Sequence, residues 1–294
     1  MQGILIVDKP AGWTSFDVIA KLRGVLETRK LGHSGTLDPM ATGVLPVFAG
    51  PSTKAADLQP DHTKAYRARV RLGVATDTGD ITGEVTSTGP VQADEEAVRR
   101  VLESFVGDRM QLPPMYSAVK INGVPLYKAA RAGKTVERKP RPITIHSIEL
   151  VGKGGENEYD IQVSCSKGTY IRVLAEEIGQ ALGCPATLAA LRRTRAGVWD
   201  ESCAHTLEEI LAAKEQGGLA AVQALLLDTE TAFSPLPLLE VDQKARFRLE
   251  NGAPVFGLSG EAGRYRLRCE GQFIGLGQLE DRVLRAEKLF VERG

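Results

Sequence analysis

The stretch from Gly32 to Leu45, GHSGTLDPMATGVL, constrains the fold most strongly, because it shows neither helical nor strand periodicity. Its glycines and proline predict a loop, and the loop carries an imidazole, two hydroxyls and a carboxylate at His33, Ser34, Thr36 and Asp38. A loop of this composition positions chemical groups and does not fill a core. We therefore expect the remaining chain to form a scaffold around it.

Periodic patterns predict that this scaffold is an α+β domain. Strands are predicted at residues 3–8, 43–48, 64–73, 143–151 and 159–166, and helices after Thr14, after Asp94 and at 170–182, with short helical pieces up to Leu191, at 207–213 and at 219–227. A capping box of Thr14 and Asp17 marks the start of the first helix.

The periodicity stops between Asp228 and Pro237 and resumes as short strands at 264–269, 272–276 and 283–290. This change predicts two domains, with a larger one at 1–233 and a small β-rich one at 234–294.

Composition excludes several classes of protein. Lys and Arg total 37, as do Asp and Glu, so a polyanion would have to meet local basic patches on this neutral chain. The four cysteines are far apart, which predicts neither a disulfide framework nor a zinc site and is typical of thiols in a reducing cytoplasm. No apolar run approaches the roughly 18 residues that span a bilayer, so we expect neither export nor membrane insertion.

The residues of the loop leave its chemistry open. Asp38 fits a nucleophile or general base, but it also fits a turn carboxylate that accepts backbone hydrogen bonds. His33 fits a backbone hydrogen bond or insertion into a base stack. A serine hydrolase is disfavoured because GHSG lacks the GxSxG pattern. The AGKT sequence at 132–135 has Lys128 where a phosphate-binding loop needs glycine, and no His or Cys cluster indicates a metal.

Three local basic runs fit either a solvated surface or contacts to nucleic-acid phosphates. They are the segment from Lys128 to Arg141, the strand face of Arg67, Arg69 and Arg71, and the run Arg192-Arg193-Thr194-Arg195. Four tyrosines beside basic or glycine-rich sequence fit core rings or stacking platforms for an unpaired base: Tyr66, Tyr116, Tyr127 and Tyr170. Together these features favour a polyanion partner without defining a reaction.

The loop, read as GHSGTLDPMATGVLPV, resembles the catalytic-loop signature HxGTLDPxAxGxL of the TruB-type tRNA pseudouridine synthases, and every fixed position is filled. Four further blocks are similar to blocks of that family and follow the family's order: GILIVDKPAGWTSFDV, KAYRARVRLGVATDTGDITG, PPMYSAVKINGVPLYKAAR and CSKGTYIRVLAEEIG. The resemblance spans about the first 200 residues.

This resemblance implies the pseudouridine synthase fold, with a mixed, mainly antiparallel sheet flanked by helices and a small PUA-like RNA-binding domain at 234–294. It implies isomerisation of uridine 55 in the tRNA T loop to pseudouridine after base flipping, with no cofactor and no metal. We expect a cytoplasmic monomer that binds the tRNA T arm and needs no membrane or protein partner. Alternative functions are a non-catalytic tRNA-binding or folding module and a uracil-excising glycosylase.

The resemblance also implies roles for single residues. Asp38 matches the nucleophile, Arg172 the arginine that pairs with it, Tyr66 the tyrosine that packs on the target base and accepts a proton, and His33 the residue that enters the vacated stack. Further positions match residues that line the pocket or contact RNA: Lys9, Pro10, Gly35, Thr36, Asp80, Tyr170 and Leu191. The basic segment at about 124–145 matches an inserted thumb that closes on the T arm, with Lys128, Arg131, Lys134 and Arg141 as RNA contacts.

Overall fold

A computed structural model describes residues 1–117, 120–121, 123–131, 133–134 and 136–290. The α-helices of this part are α1 Ser15–Val25, α2 Glu95–Glu103, α3 Leu126–Arg131, α4 Ile171–Ala181, α5 Leu207–Gln223 and α6 Gln243–Glu250. Short 3-10 turns lie at Gly50–Ala55, Glu201–Cys203 and Thr229–Phe233.

The strands of the same part are β1 Gly3–Lys9, β2 Leu31–His33, β3 Thr42–Ala49, β4 Lys64–Leu72, β5 Val74–Thr76, β6 Val85–Thr88, β7 Gly107–Gln111, β8 Lys120–Ile121, β9 Val124–Pro125, β10 Arg141–Gly155, β11 Glu158–Cys165, β12 Ala186–Ala196, β13 Trp199–Asp200, β14 His205–Thr206, β15 Leu238–Glu240, β16 Val255–Phe256, β17 Gly263–Cys269, β18 Gln272–Glu280 and β19 Val283–Leu289.

Most of the strands form one sheet of ten, in the order β14-β1-β3-β12-β4-β11-β10-β7, with β2 paired to β3 and β13 paired to β12. The pairs β1–β14 and β3–β12 are parallel, and the other pairs in this sheet are antiparallel. A second sheet has the order β15-β17-β18-β19-β16. The predicted fold class, a mixed, mainly antiparallel sheet with helices and a separate β-rich C-terminal part, is confirmed.

Strand β4 shows why the sheet forms, because its side chains alternate between two environments. Its apolar side chains are buried, as predicted, and its arginines point to the other face. Those arginines are opposed by acids, since Arg69 Nε lies 2.7 Å from Asp160 Oδ1 and Arg67 Nη2 lies 3.6 Å from Glu201 Oε2. The predicted cationic face is therefore locally neutralised by ion pairs.

Helices α1 and α4 contribute side chains to the main core against this sheet. Val18 and Leu22 of α1 and Leu174 and Ile178 of α4 are buried together at helical spacing. The predicted capping box is present at the start of α1, where Asp17 donates its backbone N–H to Thr14 Oγ1 over 3.0 Å.

The helical piece predicted before Leu191 is wrong, because residues 186–196 form strand β12. Ala, Leu and Arg are good helix formers, so local propensity favoured a helix there. The two-residue alternation of a strand is also interrupted, since the pairing of β12 with β4 shifts register between Leu188 and Ala190 and again between Arg193 and Arg195. Long-range pairing, which the local pattern conceals, decides the structure of this segment.

The two helical pieces predicted at 207–213 and 219–227 correspond to α5, which is interrupted at Gly218 by non-helical backbone with φ 64°. The dipeptide Asn122-Gly123 also predicts a turn. Both this turn and the comparison of residues 132–135 with a phosphate-binding loop fall partly outside the described residues.

The two sheets share a hydrophobic core. Phe233, just before β15, packs against Phe273 and Phe290, with ring centroids 5.9 and 5.7 Å away. Beside these rings the Glu230 carboxylate, which is largely buried, accepts hydrogen bonds from Arg266 and Arg268 of β17. Aromatic packing and ion pairing therefore fix the second sheet against the first.

No helix in the part of the chain given above is long and apolar enough to cross a membrane.

We predict that Phe233→Ala destabilises the protein by about 3–5 kcal/mol, because it opens a cavity in the core that both sheets share. Denaturant unfolding followed by tryptophan fluorescence checks this value. Phe247→Ala is the matched control, since Phe247 is 68% exposed on α6 and should change stability by less than about 0.5 kcal/mol. Equal stability of wild type and Phe233→Ala would contradict a shared core.

Candidate active site

A carboxylate and a guanidinium form the centre of the candidate site. Arg172 Nε donates to Asp38 Oδ2 over 2.8 Å, and Arg172 Nη2 donates to Asp38 Oδ1 over 3.2 Å. This two-point contact fixes the plane as well as the position of the carboxylate. The Arg172 side chain is buried, while the Asp38 side chain remains 33% exposed. The predicted partners are thus brought together, with the carboxylate open to a ligand.

The remaining Arg172 donors hold the guanidinium in place. Nη1 donates to the Thr78 carbonyl over 2.7 Å, and Nη2 donates to the Tyr116 carbonyl over 2.6 Å. Asp80 Oδ2 lies 3.9 Å from Arg172 Nε and contributes a second, weaker ion pair. The Asp80 carboxylate is itself held by hydrogen bonds from Thr78 and Thr82. Two backbone carbonyls and two carboxylates therefore position one arginine.

The start of α4 places Arg172 at this point, and a glutamine fixes that start. The buried Gln111 side chain accepts from the Tyr170 N–H over 2.8 Å and donates to the Tyr170 carbonyl over 3.1 Å. Tyr170 immediately precedes helix α4, and its own side chain does not cap the N-terminus of the helix. The last residue of β7 thereby holds the first turn of α4 to the sheet.

Polar side chains from three elements hold the loop that carries Asp38. Lys9, which is fully buried, donates three hydrogen bonds from Nζ, to the carbonyls of Trp13 (2.6 Å), Pro10 (2.9 Å) and Pro39 (3.3 Å). Burial lowers the pKa of Lys9 to about 8. The Lys9 ammonium therefore lies inside the protein, and it ties the end of β1 to the residue after Asp38.

On the other side of Asp38 the loop is held by Ser15 and Arg193. Ser15 Oγ accepts from the Leu37 N–H over 2.9 Å. Arg193 donates from Nη2 to the Gly35 carbonyl over 3.1 Å and from Nε to the Val44 carbonyl over 2.7 Å. Arg193 is completely buried, so the surface exposure expected for a run of phosphate contacts at 192–195 is wrong for this residue. Arg193 is paired with Tyr66 of β4 and lies, as Tyr66 does, on the buried face of the sheet.

Asp38 opens into a cavity of about 210 Å³. The cavity has a polar end formed by Asp38 and Arg172 and an apolar wall that includes Leu191, with Tyr66, Tyr170, Ser117 and Lys64 also lining it. Burial raises the pKa of Tyr66 to about 12, so this hydroxyl is protonated at neutral pH. The cavity combines one accessible carboxylate with flat side chains, which suits a ring held beside a reacting carbon.

His33 lies at the edge of a second cavity, of about 340 Å³, which also contains Ser34, His62, Lys64 and Lys167. His33 Nδ1 is buried and has no hydrogen-bond partner among the residues described. Burial lowers the pKa of His33, and the positive charges of Arg193 and Lys64 lower it further. The imidazole is therefore neutral at pH 7.

Four further predicted RNA contacts are exposed at the surface. Lys128 on α3, Lys134 and Arg141 at the start of β10 are exposed, and so is Thr36 in the loop. Arg131 ends α3, and its side chain is outside the part that is described.

Two opposing effects act on the charge of Asp38. Burial raises the pKa of its carboxyl above the ordinary value, and the neighbouring Asp80 raises it as well. The Arg172 guanidinium opposes that rise through its charge and its hydrogen bonds. Arg172 therefore has two effects on Asp38: it orients the carboxylate, and it favours the ionised form.

Comparison with known proteins agrees with this arrangement. The sequence model described as "TruB family pseudouridylate synthase (N terminal domain)" matches residues 23–171, and the one described as "tRNA pseudouridylate synthase B C-terminal domain" matches residues 172–234. The chain is 46% identical over 279 residues to the tRNA pseudouridine synthase B of Dechloromonas aromatica, covering 95% of this chain and 91% of that protein. It is 44% identical over 283 residues to that of Aromatoleum aromaticum, covering 95% of this chain and 89% of the relative.

The chain belongs to the TruB family of pseudouridylate synthases. It is therefore an isomerase. A solved structure titled as a Cbf5-Nop10-Gar1 complex contains a similar chain, with a TM-score of 0.76 and 26% identity over 99% of this chain and 85% of that chain.

Residues of this TruB-family site that had no predicted role in it include Ser15, Gln111 and Lys64, and Arg193 was predicted only as part of a basic run that could contact phosphates. A signal for Lys64 was present, because β4 alternates and Lys64 shares the buried face with Tyr66, two residues away. Gln111 and Arg193 carried no comparable signal. Their roles depend on pairing between strands that are distant in sequence.

We predict that Arg172→Gln raises the pKa of the Asp38 carboxyl by about 1–3 units, because it removes the neighbouring positive charge and leaves the burial. The pKa is measured by 13C NMR titration of aspartate-labelled protein, with the Asp38 signal assigned from its absence in Asp38→Asn. Arg172→Lys keeps the charge and should shift the pKa less. An unchanged pKa in Arg172→Gln would show that Arg172 does not control the charge of Asp38.

Proposed function

We propose that this protein converts uridine 55 in the T loop of tRNA to pseudouridine in the cytoplasm, as a monomer that needs no protein partner. The observation that carries the proposal is the Asp38 carboxylate, held by Arg172 at the mouth of a cavity lined by Tyr66, Tyr170 and Leu191. The relatives named tRNA pseudouridine synthase B support tRNA as the substrate. The resemblance of the loop and the four other blocks supports the T loop and position 55.

The target uridine must leave the base stack to reach Asp38, because its glycosidic bond is inaccessible inside a folded loop. In the proposal His33 fills the space that the uridine leaves. A neutral imidazole suits this role, since insertion of a charged ring between bases would require its desolvation. Gly35 and the exposed Thr36 allow the RNA backbone to approach the loop closely.

In the proposed reaction the Asp38 carboxylate acts at the ribose, either by attack on C1′ or by removal of a ribose proton. The N1–C1′ bond breaks, and its electron pair stays on the uracil. The uracil then turns so that C5 faces C1′. The C5–C1′ bond forms as the Asp38–C1′ bond breaks in the first route, or as Asp38 returns the proton to the ribose in the second. Loss of the C5 proton and protonation of N1 complete the isomerisation, so no atom is gained or lost.

Tyr66 is proposed to pack on the uracil and to take part in removal of the C5 proton. With a pKa of about 12 its hydroxyl is neutral in the free enzyme, so it can accept this proton only while it gives up its own. The Arg193 guanidinium acts against the effect of burial on the Tyr66 pKa and would stabilise a transient phenolate.

Outside the pocket, we assign recognition of the T arm to the basic segment at about 124–145. Exposed Lys128, Lys134 and Arg141 support this assignment. The division into a catalytic domain at 1–233 and a PUA-like RNA-binding domain at 234–294 is part of the same proposal. The five-stranded sheet that begins with β15 supports it.

We predict that Asp38→Asn abolishes pseudouridine formation in T-arm RNA while RNA affinity changes by less than about threefold, because the amide cannot act as a nucleophile. Product is mapped by nucleotide position after carbodiimide treatment, and affinity is measured by filter binding. Asp108→Asn is the matched control, because Asp108 is exposed on β7 and outside the cavity.

Four outcomes would contradict the proposal. Pseudouridine formed by Asp38→Asn would exclude the proposed chemistry, and wild-type product at another uridine would exclude position 55. Release of free uracil by wild type would identify a glycosylase, and binding without any product would identify a non-catalytic tRNA-binding module.

We also predict that Lys134→Ala weakens T-arm binding and lowers the slope of log affinity against log salt by about 1, because one phosphate contact is lost. Lys153→Ala is the control, since this exposed lysine lies near the end of the β10–β11 hairpin. Binding is measured between 50 and 300 mM KCl, about a sixfold range, so that a difference of one unit in the slope is resolved. An unchanged slope in Lys134→Ala would exclude a phosphate contact at this residue.

A further inference from the structure

The positively charged side chains of Lys64 and Arg193 both lie close to Gly35, and Lys64 lines both cavities. Lys64 Nζ lies 2.7 Å and Arg193 Nη1 lies 3.5 Å from the position that a Cβ atom on Gly35 would occupy. Gly35 has φ 91°, and any side chain there would collide with the Lys64 head group. The absence of a side chain at Gly35 therefore makes room for the Lys64 head group close to Arg193.

Neither cation is neutralised by a residue that the structure describes. The charged or titratable groups that act on Lys64 are Arg193, Lys167 and Cys165, with no carboxylate among them. Cys165 is a neutral thiol, because burial raises its pKa to about 11. Arg193 Nη1 is buried without a hydrogen-bond partner among the described residues, and the group that favours the charge of Arg193 is the neutral Tyr66 hydroxyl.

Such a pair is unfavourable in the free protein. Burial and the charge of Arg193 lower the pKa of Lys64 to about 8, which means that the environment acts against its positive form. A buried unpartnered donor adds a further penalty on Arg193. Among the described residues, the Lys64 side chain has no hydrogen-bond or salt-bridge partner that would stabilise the fold.

We propose that Lys64, strengthened by the positive charge of the buried Arg193 beside it, binds the RNA backbone phosphate adjoining the flipped uridine. This inference rests on the proposed function. Lys64 lines both the cavity that contains Asp38 and the cavity that contains His33. An RNA strand with its uridine in the first cavity and its neighbours near His33 has to pass this point, and its only anion is the phosphate.

The site would fix the flipped nucleotide through its phosphate, while Asp38 acts on its ribose. Arg193 joins the two functions, since the same guanidinium donates to the Gly35 carbonyl in the loop of Asp38. The free protein thus keeps an uncompensated charge that a correctly placed substrate neutralises.

The test is a double-mutant cycle between Lys64→Met and a neutral linkage in the RNA. T-arm RNAs carry one methylphosphonate, on either the 5′ or the 3′ side of the target uridine. The nucleotide before each linkage is 2′-O-methylated, as it is in the reference RNA. Affinity is measured in the Asp38→Asn background so that all RNAs remain unconverted. Lys153→Met is the matched control, because Lys153 lines neither cavity.

In the parent protein, which retains Lys64, we expect one of the two neutral linkages to weaken RNA binding about 10-fold, as loss of a charged hydrogen bond does. Lys64→Met should bind the reference RNA about 10-fold more weakly than its parent does. The same neutral linkage should reduce the affinity of Lys64→Met by less than about a further twofold. Its melting temperature should equal or exceed that of its parent, because repulsion with Arg193 is removed. A residue needed only for folding would lower the melting temperature.

The inference would be overturned if Lys64→Met and each linkage reduced RNA affinity independently, so that their effects multiply. It would also be overturned if neither linkage changed the affinity. Lys64→Gln provides the same cycle if Lys64→Met does not fold. A wild-type protein that forms no pseudouridine in unmodified RNA would contradict the proposed function. Product formation together with independent effects would overturn only the phosphate site.

Discussion

The geometry of the site depends on how a loop without regular structure is held in place. Residues 34–41 lie between strands β2 and β3, so the backbone pairing of the sheet does not extend to Asp38. Side chains supply the missing hydrogen bonds: Lys9 bonds to Pro39, Ser15 to Leu37, and Arg193 to Gly35. Because these three come from β1, α1 and β12, the position of Asp38 depends on the packing of the whole sheet.

The side chains that hold the loop place several positive groups near Asp38. Lys9, Lys64 and Arg193 are buried or half-buried, and burial lowers the pKa of each of them. Burial of a positive charge destabilises the fold. At Lys9 and Arg193 hydrogen bonds to loop carbonyls offset this effect and hold the loop in place. Lys64 has no such bond, and this difference points to a ligand as its partner.

The sequence predicted the parts of the molecule that depend on local patterns. The capping box of Thr14 and Asp17 and the alternation of β4 are present as predicted, and the loop does contain the accessible carboxylate. The structure of β12 was not predictable in this way, because two register shifts hide its alternation and its residues favour helices. The reaction itself came only from the family resemblance, since a carboxylate beside tyrosines fits several reactions.

A similar distinction applies to the domain boundary. The loss of periodicity after Asp228 marks a change in the chain, and a different sheet begins with β15. However, the same ten residues contain Glu230 and Phe233, which bind the second sheet through Arg266, Arg268 and the Phe273–Phe290 pair. A linker that contributes buried residues to a shared core cannot act as a hinge. Buried contacts therefore hold the second sheet against the part of the chain that carries Asp38.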